Sequence, residues 1–193
     1  MARKILVLGE VRDGSLRNVS FEAIAAGKVA AEGGEVVGVL IGDSVQSLGS
    51  ELIQYGADRV VVVEDEKLKQ YTSDGYSQAL LQVIENESPE GLIIGHSAQG
   101  KDLAPRIASK LESGLISDVT AIEEAGGNVV FVRPIYSGKA FEKKIIKDGL
   151  IFATIRPNNI APLAKNESRT GEVTALSVEI KDLRAIIKYV VSK

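Results

Sequence analysis

Short unbroken apolar runs alternate with stretches of helical periodicity through the first 115 residues. Residues 5–8, 36–41, 60–63 and 92–94 are continuous and rich in β-branched side chains. Strands that read this way are covered on both faces, as in a parallel sheet. Between them, residues 20–32, 45–55, 73–87 and 102–112 carry apolar positions at helical spacing. Gly33-Gly34 and Gly56 supply stops, and Ser73 or Asp74 is a candidate N-cap. A β-α-β-α-β-α-β-α series predicts right-handed crossovers. The expected class is α/β, a doubly wound, mostly parallel sheet in a Rossmann-like three-layer arrangement.

The pattern changes near residue 115. Strand candidates then follow one another directly at 117–123, 128–135, 140–147, 150–155, 174–180 and 185–191. Their joints are turn chemistry: Gly126-Gly127-Asn128, Ser137-Gly138-Lys139 and Asp148-Gly149. Asp-Gly between apolar runs predicts a hairpin. This half reads as antiparallel strands added to the parallel core, with 158–171 as the longest loop. Nothing resembles a flexible linker, so 1–193 reads as one domain, with a core to 115 and an extension from 116.

Composition narrows the function. The chain has 193 residues, 45% hydrophobic and 25% charged, enough to bury roughly 70% of its unfolded surface. Cysteine is absent, which excludes disulfides, thiolate nucleophiles and cysteine-held metal clusters. Net charge is −3, with five Tyr, four Phe and no Trp. That balance argues against nucleic acid, whose binders need basic excess and stacking rings. Basic residues Arg3 and Lys4 precede an apolar run too short for a secretory signal, and no run nears the ~18 apolar residues of a membrane span. These features, without a transit peptide, lead to a prokaryotic cytoplasmic reading with no membrane insertion.

Candidate chemistry gathers where parallel strands end. The loop Gly95-His96-Ser97-Ala98-Gln99-Gly100-Lys101-Asp102 has the glycine and lysine spacing of a phosphate-binding loop, but Asp102 stands where a hydroxyl should bind Mg²⁺. Two readings compete. In one, Asp102 caps a helix from Leu103 with Pro105 in its first turn. In the other, Gly9, Gly42, Gly95, Ser97, Gly100 and Lys101 form a pocket for an adenine nucleotide at a helix N-terminus. The loop after the first strand, with Glu10 and Asp13, reads as a solvated turn or partner contact. His96 is the sole histidine, and chain neighbours such as Ser97 seldom face each other as nucleophile and base. One His without Cys makes a poor zinc site.

Arginines punctuate the second half at Arg133-Pro134 and Arg156-Pro157. Either they line a partner surface, together with Tyr136, or they are structural arginines paired with Asp118 or Glu123. The lysine-rich stretch 139–147 reads as a solvated strand face.

Three segments in order carry a family resemblance. The stretch 92–118 includes Asp102-Leu103-Ala104-Pro105-Arg106 and Gly114-Leu115. It is followed by Arg133-Pro134-Ile135-Tyr136-Ser137-Gly138-Lys139 and by Thr154-Ile155-Arg156-Pro157-Asn158. In order and spacing they are similar to the N-terminal domain of electron-transfer flavoprotein alpha subunits, and the opening Ile5-Leu6-Val7-Leu8-Gly9-Glu10 fits as well. The resemblance implies a nucleotide-alpha-hydrolase-like fold and a heterodimer with a beta subunit of related fold. It implies FAD in the full heterodimer, held by a C-terminal domain absent from this sequence, and no cofactor on this chain alone. Electrons would pass from dehydrogenases to an acceptor oxidoreductase, the chain acting as a partner-binding scaffold and not as a self-sufficient enzyme.

Overall fold

The computed structural model describes residues 1–181, 183, 190 and 191. β1 (Lys4–Leu8) leads through a small ribbon, β2 (Val11–Arg12) and β3 (Ser15–Leu16), to α1 (Asn18–Ala31). β4 (Glu35–Gly42), α2 (Gly49–Gln54), β5 (Arg59–Glu64), α3 (Ser73–Glu87), β6 (Gly91–Gly95) and α4 (Ala98–Leu111) complete the alternating series. The second half contributes β7 (Ile116–Val119), β8 (Ala121–Ala125), β9 (Asn128–Ile135), β10 (Ala140–Lys144), β11 (Ile151–Ile155) and β12 (Glu172–Ala175).

Seven strands make one parallel sheet in the order β12-β5-β4-β1-β6-β11-β7. Alternate side chains of β1 feed two separate cores, because successive residues of a strand point to opposite faces. Ile5 and Val7 pack with Phe21 and Ile24 of α1, Leu52 of α2, and Phe131 of β9. Leu6 and Leu8 pack with Leu80 and Val83 of α3 and Leu103 and Ile107 of α4. The starts of the strands are tied by charge. Arg59 forks onto Glu87 at the end of α3, with both bonds 2.7 Å, and reaches Glu35 at 2.9 Å. The Arg59 hydrogen bonds hold the Glu87 carboxyl below the usual carboxylate range against the opposing effect of burial.

The three-layer α/β class stands, and the second half corrects the expected strand pairing. Of the described strands in this half, β8, β9 and β10 are antiparallel, in a sheet of their own. β11 is buried at every position and inserts in parallel between β6 and β7, as a continuous apolar run demands. Asp148-Gly149 does turn the chain, with Gly149 at φ +82, but β10 and β11 on either side belong to different sheets and form no hairpin. The strand expected at 174–180 is β12, pairing in parallel only as far as Ala175. Beyond it, side chains of α3 replace sheet partners: Gln82 exchanges bonds of 3.0 and 2.8 Å with the backbone of Glu179, and Gln78 bonds of 2.7 and 2.6 Å with Lys181. The strand expected at 185–191 lies, but for its last two residues, outside the described residues. The helix expected at 45–55 is a 3-10 turn, Gln46–Leu48, running into α2. α3 is capped by Thr72, whose hydroxyl accepts from the Gly75 amide at 3.2 Å, and not by Ser73 or Asp74.

Phe152 of β11 is fully buried beneath α4. Phe152→Ala is expected to cost about 3–5 kcal/mol, read as a lower urea midpoint with an unchanged denaturant slope.

Candidate functional site

Strand order reverses between β1 and β6, the place where open parallel sheets hold ligands. Two loops meet there. Ser97, which precedes α4, accepts a hydrogen bond from the Gly100 amide at 3.1 Å and donates its own hydroxyl to Glu10 Oε1. Glu10 Oε2 takes Arg17 Nη1 at 2.9 Å, and the Glu10 amide donates to Ser20 Oγ at 2.8 Å. Glu10 is 8% exposed. A carboxylate of the chain itself thus sits at the positive end of α4, where a bound anion would otherwise be favoured.

The glycines expected around a nucleotide lie at these strand ends but answer to packing. A Cβ at Gly100 would stand 1.7 Å from the Gly95 carbonyl oxygen, so the chain's close approach to itself requires glycine. Added Cβ atoms at Gly9, Gly42 and Gly95 would meet Leu40, Val45 and Val19 at 2.9, 2.8 and 2.8 Å. The Lys101 side chain is exposed. The adjoining crevice, about 890 Å³, has Gly42 on its wall but not the other five candidates. Its charged lining includes Glu10, Asp13, Asp43, Arg17 and Lys69. Arg12, Asp13, Gly14 and Ser15 are exposed and turn β2 into β3, whereas Glu10 is buried, so the solvated-turn reading of this loop is corrected at Glu10 alone. Ser97, not Asp102, caps α4, which begins four residues before Asp102 and puts Pro105 inside the helix instead of in its first turn. Asp102 instead accepts from the Tyr71 hydroxyl at 2.6 Å.

Arg133, Tyr136 and Arg156 come together in a second cleft of about 550 Å³, with Asp118 among its walls. Arg156 forks onto Asp118 through Nε at 2.8 Å and Nη2 at 2.5 Å, while Glu123 pairs with Lys143 at 3.1 Å. The Arg156 bonds hold the Asp118 carboxyl below its usual range. Behind the cleft, Thr154 Oγ1 accepts from the Asp118 amide at 3.0 Å and lies 2.9 Å from His96 Nδ1. On the other side of the ring, His96 Nε2 lies 3.8 Å from Asp118 Oδ1. Burial lowers the His96 pKa, and Lys101, Arg156 and Arg133 act in the same sense, while Asp118 opposes them. His96 and Ser97 therefore serve different partners and make no nucleophile–base pair. Among the described residues no cluster of His, Cys, Asp or Glu is suited to a metal ion.

Nothing in the residue pattern singles out Glu22. It is 2% exposed on α1, accepts from the Asn158 amide at 2.7 Å, and leaves Oε2 without a partner among the described residues. Burial raises its pKa. Left-handed backbone gathers along the same side: Asp118, Tyr136, Ser137 and Asn158 have φ of 65°, 52°, 56° and 66°. Non-glycine residues hold such angles only where their surroundings over-determine them.

Residues 5–181 match the model of the electron transfer flavoprotein domain. The chain belongs to the electron transfer flavoprotein family. It is 58% identical over 193 residues to an electron transfer flavoprotein subunit alpha of Bacillus subtilis, covering all of this chain and 59% of that protein. A subunit of the same name from Syntrophomonas wolfei is 38% identical over 77% of the chain and 46% of its own length. The acryloyl-CoA reductase electron transfer subunit beta of Anaerotignum propionicum is 42% identical over 63% of the chain and 34% of its own length. The chain therefore spans about half to three-fifths of the curated relatives it matches. Among the described residues of this family member, no helix is long and apolar enough to cross a membrane.

Two outcomes are expected. Gly100→Ala should destabilise the fold by about 3 kcal/mol or more, since backbone must move to admit the methyl group; thermal unfolding measures it. His96 should titrate below 6.5 in an NMR pH series, and Asp118→Asn, by removing the attraction that favours the charged ring, should lower it further. With the folded value beneath the unfolded one, the neutral ring stabilises the fold above about pH 6.5, and that contribution is lost as pH falls through the folded value.

Proposed function

We propose that this chain is the scaffold part of an electron transfer flavoprotein alpha subunit. It forms one domain that docks a beta subunit in the bacterial cytoplasm. The complete heterodimer carries electrons from dehydrogenases to an acceptor oxidoreductase through FAD, and the chain has no turnover of its own. The observation that carries this reading is the Glu10–Ser97 contact at the reversal of strand order. The fold's habitual ligand position is filled by the protein's own carboxylate, already matched by Arg17. The likeness of the whole of this chain to 59% of the Bacillus subtilis subunit supports it as well.

The described residues do not fit FAD. In the larger crevice Arg12, Arg17 and Lys69 are balanced by Glu10, Asp13 and Asp43, with Arg17 already paired to Glu10, so no net positive charge is left to hold a pyrophosphate. The smaller cleft has Arg156 already committed to Asp118 and is open to solvent along exposed Tyr136 and Ser137, where a flavin ring would lie largely in water. No electron-transfer step is routed through this chain's residues. The same carboxylates count against the second reading, an adenine-nucleotide protein using Gly95, Gly100 and Lys101, because a phosphate would have to displace Glu10 from Ser97.

Co-expression decides between the two. The chain should co-elute with a beta subunit on gel filtration as a colourless complex. It should turn yellow when extended with the remaining sequence of its Bacillus subtilis relative. A chain that ignores the beta subunit, stays monomeric and binds AMP tightly would replace the scaffold reading with the nucleotide one.

A further inference from the structure

The cleft beside the β9–β10 turn holds two guanidinium groups in unlike states. Arg156 is fully engaged, its fork closed on both oxygens of Asp118. Arg133 is not. Its acceptor among the described residues is Glu142 Oε1 at 3.4 Å, an oxygen that Lys144 Nζ also approaches at 3.4 Å. Arg133 Nε is shut from solvent and has no acceptor among the described residues, so a ligand entering from the cleft meets the terminal nitrogens, of which Nη1 has only the long Glu142 contact. A guanidinium binds best when a planar anion takes two of its donors together. The described residues offer none here, because Asp118, the carboxylate of the cleft wall, is bound by Arg156.

We propose that this cleft is a carboxylate-binding site, with Arg133 supplying the fork and Tyr136 forming an outer wall. Tyr136 is 78% exposed and lines the cleft. It begins a run of three residues at positive φ, Tyr136, Ser137 and Gly138 at 52°, 56° and 82°, a turn whose conformation is held at the cost of local strain. The cleft volume, about 550 Å³, lies within the range of small-ligand sites. Charge sets the ligand class. With Asp118 and Glu142 already present, a dianionic phosphate would meet two carboxylates, whereas one monoanionic carboxylate balances the one under-matched guanidinium. Two sources share this chemistry: a free small carboxylate, and an acidic side chain presented by a protein partner next to the tyrosine.

The test is a ¹⁵N–¹H NMR titration of the arginine side chains of the chain at neutral pH, with sodium acetate replacing sodium chloride at constant ionic strength. The Arg133 Nε–H signal should shift and saturate, and that of Arg156 should barely move. Glu142→Gln removes the competing negative charge and should tighten acetate by about threefold, the scale of losing one part-exposed ion pair. Arg133→Lys should abolish saturation at the amides of Ser137 and Gly138. An unsaturating drift, an equal response at Arg156, tighter saturation by inorganic phosphate, or a Glu142→Gln variant that binds no tighter would each overturn the proposal. In a parallel arm, an acetylated Phe-Asp amide that saturates well below the acetate concentration assigns the site to a protein partner. Saturation at the same concentration assigns it to a free carboxylate.

Discussion

A parallel sheet of seven strands has no face it can leave to water. Its crossovers place helices on both sides, and every strand between them must be apolar on both surfaces. In this chain the requirement is met by two cores that share β1, one under α1 and α2 and one under α3 and α4. The small antiparallel sheet follows from the same need, because Phe131 and Val129 complete the cover over the first core. The fold therefore places its hydrophobic mass centrally and leaves the strand ends and the antiparallel sheet to carry recognition.

At the strand ends, the reversal between β1 and β6 creates a positive helix terminus with nothing in the sheet to answer it. Glu10 answers it, through Ser97, and Arg17 answers Glu10. The chain keeps the geometry of a nucleotide-binding fold while filling its anion position from within. This makes an internal stabiliser of what elsewhere is a ligand site, and it is consistent with a subunit whose relatives are named for electron transfer as part of a larger protein.

The alternating first half was legible because β1, β4, β5 and β6 are continuous apolar runs and α3 has clean helical spacing. The pairing of the second half was not. β11 carries the same continuous apolar signature as the core strands, yet the Asp148-Gly149 turn before it resembles a hairpin turn, and only tertiary context sends β11 into the main sheet. Residues 174–180 look like a strand because they are apolar at intervals, but beyond Ala175 the partners of the backbone at Glu179 and Lys181 are glutamine side chains of α3, which no strand pattern encodes. At the site, Arg133, Tyr136 and Arg156 were legible as a group, whereas the Glu10–Ser97 contact joins residues far apart in the chain. Glu22 looked like any polar residue on an amphipathic helix.

The placement of β12 has a consequence for how the chain reaches its native state. The outer edge of β5 is complete once residue 64 has been made, but the strand that covers it begins at residue 172. Throughout that interval of synthesis the flat, apolar edge at residues 60–63 has no permanent neighbour, the situation in which strands pair with the wrong chain. Pairing across so long a separation is also slow, because the loop must be closed before any ladder bond repays it. The residues that cover this edge are thus the last of the sheet's strands to be made.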